Sequence, residues 1–245
     1  MSLDLPTSGP EPDGAERVRV LTYNIRSQRD DRAALVRVIR ACEPDLICVQ
    51  ESPRYWRPEG QAAWLARRTG TVILSGGGRA TAGPLLLGRP RVQVLSRHDV
   101  LLRKRRGLYA RGFATAVVRI GRSAPFALTS CHLSTEAAER FEQFQLLPGQ
   151  AVGRAHSVIA GDFNEEPQAP GWRWLAERYQ DGYALARWGA DYIARPGNPI
   201  QRLDAVFASP GVAVLACGIP PLPRADLLAA ADHLPVLAVL RVPAA

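Results

Sequence analysis

Apolar and polar positions along the chain follow two periods. Residues 17–24 (RVRVLTYN) place Val18, Val20 and Thr22 on one side and Leu21 and Tyr23 on the other, which predicts a strand ending at Asn24. Over residues 30–42, Leu35, Val36, Val38 and Ile39 fall at helical spacing behind an Asp cap, and Pro44 stops that helix. Residues 45–50 (DLICVQ) are expected as a short strand buried on both faces and ending at Glu51. A second helix is expected over residues 61–68, closed by Gly70. The texture then changes to short β segments at 71–74, 84–87, 91–95 and 113–120, punctuated by Gly76, Gly77, Gly78 and Gly83. Beyond them the pattern predicts a strand at 126–132, a helix at 135–147, a strand at 157–162 and a short helix at 171–179. The last strands are expected at 203–208, 212–217 and 234–242.

Polar residues collect where the apolar strands end. One strand-helix-strand unit releases Asn24 and then Gln50-Glu51; much later another releases His132 and then Asp162 and Asn164. In α/β folds, ligands gather at the carboxyl ends of strands.

Composition narrows the class. The 245 residues are 47% hydrophobic and 22% charged, which fits a soluble globular chain and excludes global disorder. No internal Pro/Ser/Gly linker divides the chain, so a single domain is expected over residues 17–245. Residues 1–16 carry Pro6, Gly9, Pro10, Pro12 and Gly14 among acidic residues, without a basic n-region or an apolar h-region. They are expected to form a disordered leader, not a signal peptide. No apolar run reaches the ~18–20 residues of a membrane span, so no stable membrane insertion is expected. Cys42, Cys48, Cys131 and Cys217 lack metal-ligand spacing and read as buried free thiols of a cytoplasmic protein. The net charge of +8 is almost wholly arginine, since Lys104 is the single lysine. Guanidinium forks suit phosphate, but an overall bias toward arginine produces the same count.

Each candidate group has a chemical and a bland explanation. Glu51 either opens a solvated loop or points a carboxylate into a cleft. Asp162 and Asn164 in AGDFN lie on one side if the strand continues, as a base for water and an amide donor to a phosphoryl oxygen. An Asx turn favours the same two residue types. His132 follows an apolar strand, Asp204 precedes one, and Asp232-His233 precedes the last; a carboxylate beside a histidine fixes its tautomer and raises its pKa. The bland alternative is a histidine bonded to backbone, which is the reading given to His98 and His156. The dense basic run Arg103, Lys104, Arg105 and Arg106 is either a contact for a polyanionic substrate or a solvated loop. Trp172, Trp174 and Trp188 suit base stacking, a membrane interface or core packing.

Together these groups appear in a telling order. Asn24 in TYN, Glu51 after VQ, His132 in TSCHLS, Asp162 and Asn164 in AGDFN, Asp204 in RLD and Asp232-His233 in ADHLPV follow the order typical of the endonuclease/exonuclease/phosphatase superfamily, with its deoxyribonuclease I-like fold. The chain resembles that superfamily from Arg19 to Leu240, and GDFN and the terminal DH are the most specific parts.

The resemblance implies an α/β fold: a four-layer α/β/β/α sandwich of two mixed, mainly antiparallel sheets flanked by helices. It also implies divalent-metal-dependent hydrolysis of phosphate esters by in-line attack of water. Carried over residue by residue, Glu51 is the principal Mg²⁺ ligand, with Asn24 beside the metal and Mn²⁺ a substitute ion. Asp162 orients or deprotonates the water. Asn164 and His132 stabilise phosphoryl oxygens, and His132 also gives a proton to the leaving group. Asp204 holds His233 against the phosphate, and Asp232 supports a second metal or a hydrogen bond near the first. Ala231 stands where the family usually has serine, and the region between Glu51 and His132 lacks long loops for gripping duplex DNA. The expected partner is a phosphate-ester substrate, nucleic acid first and a phospholipid, phosphoinositide or sphingomyelin second, with no obligatory protein partner. A scaffold that binds phosphate or nucleic acid without catalysis is the reading from another class.

Overall fold

The structure is a computed structural model that describes residues 5–190 and 201–245. The chain fills one sheet, crosses to a second, and comes back. β1 (Gly9–Pro10), β2 (Glu16–Asn24), β3 (Leu46–Gln50), β4 (Val72–Gly76) and β5 (Leu85–Gly88) enter the first sheet. β6 (Val92–Arg97), β7 (Val100–Leu101), β8 (Gly112–Ile120), β9 (Phe126–His132), β10 (His156–Asp162), β11 (Gln180–Asp181) and β12 (Asp204–Ala208) build the second. β13 (Ala213–Gly218) and β14 (Val236–Val242) return to the first. The strand orders are β13-β14-β2-β3-β5-β4, with β1 on β2, and β11-β12-β10-β9-β8-β6, with β7 on β8.

Each seven-stranded sheet holds one parallel pair, and the other pairings are antiparallel. The parallel pairs are the two strand-helix-strand units of the sequence. β2 reaches β3 through α1 (Arg32–Cys42), and β9 reaches β10 through α3 (Ala137–Leu146). A parallel partner requires such a crossover, because a tight turn reverses direction. In register, Asn24 stands opposite Gln50, and Asp162 stands opposite both His132 and Asp204. The polar strand ends of both sheets are thereby gathered at one edge.

Three apolar layers hold the sandwich. Between the sheets lie Val18, Val20, Leu86, Val118, Phe126, Leu128, Val158 and Leu240. Outside the first sheet, α1, α2 (Pro58–Thr69) and α6 (Arg224–Ala230) bury Leu35, Ile39, Leu65 and Leu227 on Leu21 and Ile47. Outside the second, α3 and α4 (Pro170–Ala176) bury Phe144, Trp172 and Leu175 on Ile159, Phe163 and Phe207. A further helix, α5 (Gly182–Leu185), follows β11. Asp31 caps α1 by accepting from Ala33 N and Ala34 N at 2.7 and 3.1 Å. This is the four-layer α/β/β/α arrangement expected from the sequence.

Several expectations change. The leader expected over residues 1–16 is ordered wherever it is described, and Met1–Asp4 lie outside the described residues. Gly9 and Pro10 pair with Arg17 and Glu16, Ala15 is buried, and Glu11 and Asp13 take Arg241 of β14 as ion-pair partner. Its Pro/Gly composition hides this order because the strand is only two residues long and its ion-pair partner Arg241 lies more than two hundred residues away. α6 lies outside the elements the pattern predicts; it follows the proline-rich PPLP and spans barely two turns. Trp172 is core, packed edge-on to Phe163 and Phe207 with its Nε1 donating to Asp181 at 2.9 Å. The four cysteines are free and buried, and burial pushes each thiol pKa up. No described helix is long and apolar enough to cross a membrane.

Candidate active site

Asp162 is the hub of the strand-end edge. Gly161 precedes it because a Cβ there would stand 2.0 Å from the Cys131 carbonyl oxygen, so β10 reaches this level beside β9 with no side chain at that point. One carboxylate oxygen of Asp162 accepts from the Asn164 backbone N–H at 2.9 Å, the Asx turn foreseen in AGDFN. The other accepts from Asn24 Nδ2 at 3.1 Å, with His132 Nε2 at 3.4 Å and His233 Nε2 at 3.7 Å. The Asx turn and the cleft position therefore coexist.

His132 and His233 flank that oxygen in opposite protonation states. Burial pushes His132 down to about 4, helped by the nearby cations Arg111, His233 and Arg54, against the pull of Asp162. For His233 burial also works downward, yet Asp204, through charge and hydrogen bond, together with Asp162 and Asp232 raises it to about 10. Asp204 Oδ2 lies 2.7 Å from His233 Nδ1. At neutral pH, His132 is a neutral hydrogen-bonding group and His233 an imidazolium. His132 in that state still carries one ring N–H that can be donated as a hydrogen bond.

Glu51 reaches the same place from β3. Its backbone is left-handed, with φ 53°, and the loop is closed by Ser27 N to Glu51 O at 2.9 Å and Ser52 N to Gly83 O at 3.1 Å. Ser27, Ala82 and Asn164 also line the cleft with positive φ. Strained backbone of this kind persists where surrounding structure enforces it, and it clusters at functional sites. Asn24 Nδ2 also donates to Glu51 Oε1 at 3.3 Å, while Asn24 Oδ1 accepts from Arg26 N at 3.1 Å. Gln50 is a support between the sheets: it accepts from Thr22 and donates to Ser130 Oγ and to Cys48 O.

A divalent cation fits this donor set. Glu51 and Asp162 turn carboxylate oxygens toward a single amide nitrogen, so two hard anionic oxygens converge, the chemistry Mg²⁺ prefers. Asp162, Asp204 and His233 also bring ligand atoms within 4.8 Å of one another. That second grouping contains the carboxylate-histidine pair of Asp204 and His233, 2.7 Å apart.

The cleft, of about 380 Å³, is lined by Glu51, His132, Asp162, Asn164 and His233, joined by Ser27, Arg29, Arg54, Tyr109, Arg111 and Thr135. Asn164 spends one amide hydrogen on Leu133 O at 2.9 Å and keeps the other. Five expected members stand elsewhere. The Asp232 carboxylate is exposed and paired with Arg26 at 3.2 Å. Arg103, Lys104, Arg105 and Arg106 line a separate groove against α3, where Arg105 pairs with Glu142. The cleft arginines 29, 54 and 111 escaped the sequence reading because single arginines carry no signal in an arginine-rich chain.

The sequence model of the Endonuclease/Exonuclease/phosphatase family matches residues 21–233. No curated protein sequence matches the chain. Among solved structures, an endonuclease/exonuclease/phosphatase from Bacteroides vulgatus is similar at TM-score 0.77 and 22% identity, covering 92% of this chain and 99% of that one. A mannosyl-6-phosphatase from Bacteroides thetaiotaomicron aligns at TM-score 0.73 and 17% identity, covering 91% and 99%. TDP2 from D. rerio, complexed with single-strand DNA product, aligns at TM-score 0.71 and 16% identity, covering 91% and 98%.

Proposed function

The chain belongs to the endonuclease/exonuclease/phosphatase family, and from that premise we propose that it is a Mg²⁺-dependent phosphoesterase in which water attacks phosphorus in line, with nucleic acid as the first substrate to test. The observation that carries this reading is the meeting of Asn24, His132 and His233 on one oxygen of Asp162, with Glu51 beside them. A scaffold that had lost catalysis has no need of this complete set. The fold likeness to a protein bound to single-strand DNA product supports the choice of nucleic acid.

Glu51 and Asn24 would hold the metal, which when bound polarises a phosphoryl oxygen and acidifies water. Asp162 is placed to accept the proton of the attacking water: the Asn164 backbone fixes one oxygen, and the other lies at the cleft where Asn24, His132 and His233 meet. His233, kept cationic by Asp204, offsets the charge that develops on the phosphoryl oxygens and has the proton to give a leaving oxygen at pH 7. His132 and the spare amide hydrogen of Asn164 are neutral donors to the same oxygens.

The test is hydrolysis of bis-p-nitrophenyl phosphate and a panel of DNA and RNA strands with Mg²⁺, Mn²⁺ or EDTA. Activity is expected with either metal, none in EDTA, and a loss of about 10²–10⁴-fold in Asp162→Ala. Full activity in EDTA, or in Asp162→Ala, would overturn the mechanism.

A further inference from the structure

One wall of the cleft is untouched by the roles above. Arg111, immediately before β8, is 9% exposed, and its Nε is buried without a hydrogen-bond partner. Among the described residues its guanidinium makes no hydrogen bond and no ion pair; Asp162 and Glu51 act on it only through space, and burial depresses its pKa. A protein that takes a guanidinium out of water normally pairs it, because the lost hydration is large. Arg111 is held beside the cleft with that requirement unmet.

Arg54 stands next to it. Its Nη1 lies 3.4 Å from the Ala82 carbonyl and 3.5 Å from that of Ala110, the residue before Arg111. Among the described residues Arg54 has no carboxylate partner, and its charge works against that of Arg111. Two adjacent guanidiniums that repel each other and lack anions are stabilised by an anion that spans both. The cleft carboxylates, Glu51 and Asp162, are matched by a divalent cation, so Arg54, Arg111 and the exposed Arg29 are left to the substrate. An internal diester brings one negative charge. A terminal phosphate brings nearly two at pH 7 and three acceptor oxygens, which suits guanidinium forks.

We propose that Arg54 and Arg111 form a receptor for a doubly charged phosphate, so that the cleft takes a terminal phosphate, on a strand end or on a small phosphomonoester, ahead of an internal diester. The proposal rests on the phosphoesterase reading and narrows the bond that is cleaved. It carries a second consequence: because Arg111 has no protein partner to lose, replacing it removes ligand binding without lowering stability.

Four measurements test it. Calorimetry with inorganic phosphate in EDTA is expected to show binding that weakens by about tenfold or more in Arg111→Met and in Arg54→Met, and partial recovery in Arg111→Lys. The thermal midpoint of Arg111→Met without phosphate is expected to equal or exceed that of the parent. With Mg²⁺, KM for p-nitrophenyl phosphate is expected to rise by about tenfold in Arg111→Met, and KM for bis-p-nitrophenyl phosphate to stay within about twofold. Faster phosphate release from a 5′- or 3′-phosphorylated oligonucleotide than from p-nitrophenyl phosphate assigns the receptor to strand ends, and the reverse to small monoesters. Unchanged phosphate binding and monoester KM in Arg111→Met, or an equal rise in KM for the diester, overturns the receptor while the phosphoesterase reading stands. Arginine-dependent phosphate binding without hydrolysis of either ester retains the receptor and overturns that reading.

Discussion

His132 and His233 approach the same oxygen of Asp162 with opposite charge preferences, and this pair sets a pH profile for the metal-free protein. His132 ionises near 4 in the fold and near 6.5 when unfolded, so the unfolded chain binds the extra proton between those values. Stability from that source is present above about pH 6.5 and is lost as pH falls toward 4. His233 runs the other way: raised to about 10, it contributes stability that is full below about 6.5 and lost as pH rises through 10. Urea midpoints measured across pH in EDTA should therefore show an acid limb that flattens in His132→Asn and an alkaline limb that flattens in Asp204→Asn. Carbon-proton NMR of His233 should show its titration moving down toward the ordinary range in Asp204→Asn. A His233 pKa unchanged by that substitution would mean that Asp204 is not what keeps the ring charged. The sequence made this pairing legible, because carboxylate and histidine both sat at strand ends. It did not reveal the contrast between the histidines, which depends on burial of His132, helped by Arg111 and Arg54, and on Asp204 beside His233.

Among the elements, the two parallel pairs explain both what was legible and what was not. Each crossover helix buries its apolar stripe on its own sheet, so the strand-helix-strand pattern survives in the local sequence. The level at which the strands end is a matter of register, and a single glycine protects it. In Gly161→Ala the new methyl would meet the Cys131 carbonyl oxygen and thiol, and either β9 or β10 must shift. A loss of about 1–3 kcal/mol is expected, read as a fall of roughly 2–4 °C in Tm per kcal/mol for a chain of this size. The rate of hydrolysis should fall further than stability requires, because the shift moves Asp162 against His132. A Tm and rate equal to those of the parent would show that the pair yields at no cost. By contrast, β1 and α6 were hidden: β1 is only two residues long, and α6 packs on the distant α1.

For the whole molecule, the net charge of +8 divides into two unlike populations. Most arginines sit on the surface, many paired with carboxylates, as Arg37 is with Asp226 and Arg105 with Glu142. Exposed pairs of this kind contribute little to stability. Those in the cleft, Arg54 and Arg111, have no carboxylate partner among the described residues, and no count along the sequence distinguishes them. Replacing Arg103, Lys104 and Arg106 together by Gln should leave KM for p-nitrophenyl phosphate within about twofold at ionic strength near 0.15 M, where the Debye length is about 8 Å. A KM raised several-fold would bring that groove back into substrate binding.

The route of the chain through its two sheets has a consequence for synthesis. A chain halted after β12 already carries Asn24, Glu51, His132, Asp162, Asn164 and Asp204, but not His233, and β2 has an open edge from Glu16 to Thr22 where β14 belongs. The segment that closes that edge follows His233 directly, so the last strand completes the hydrogen-bonded sheet and the reactive cleft together. A fragment that stops before His233 therefore lacks the closing strand of the sheet and the cleft imidazole at once, and is expected to show no phosphate-ester hydrolysis when assayed beside the full chain.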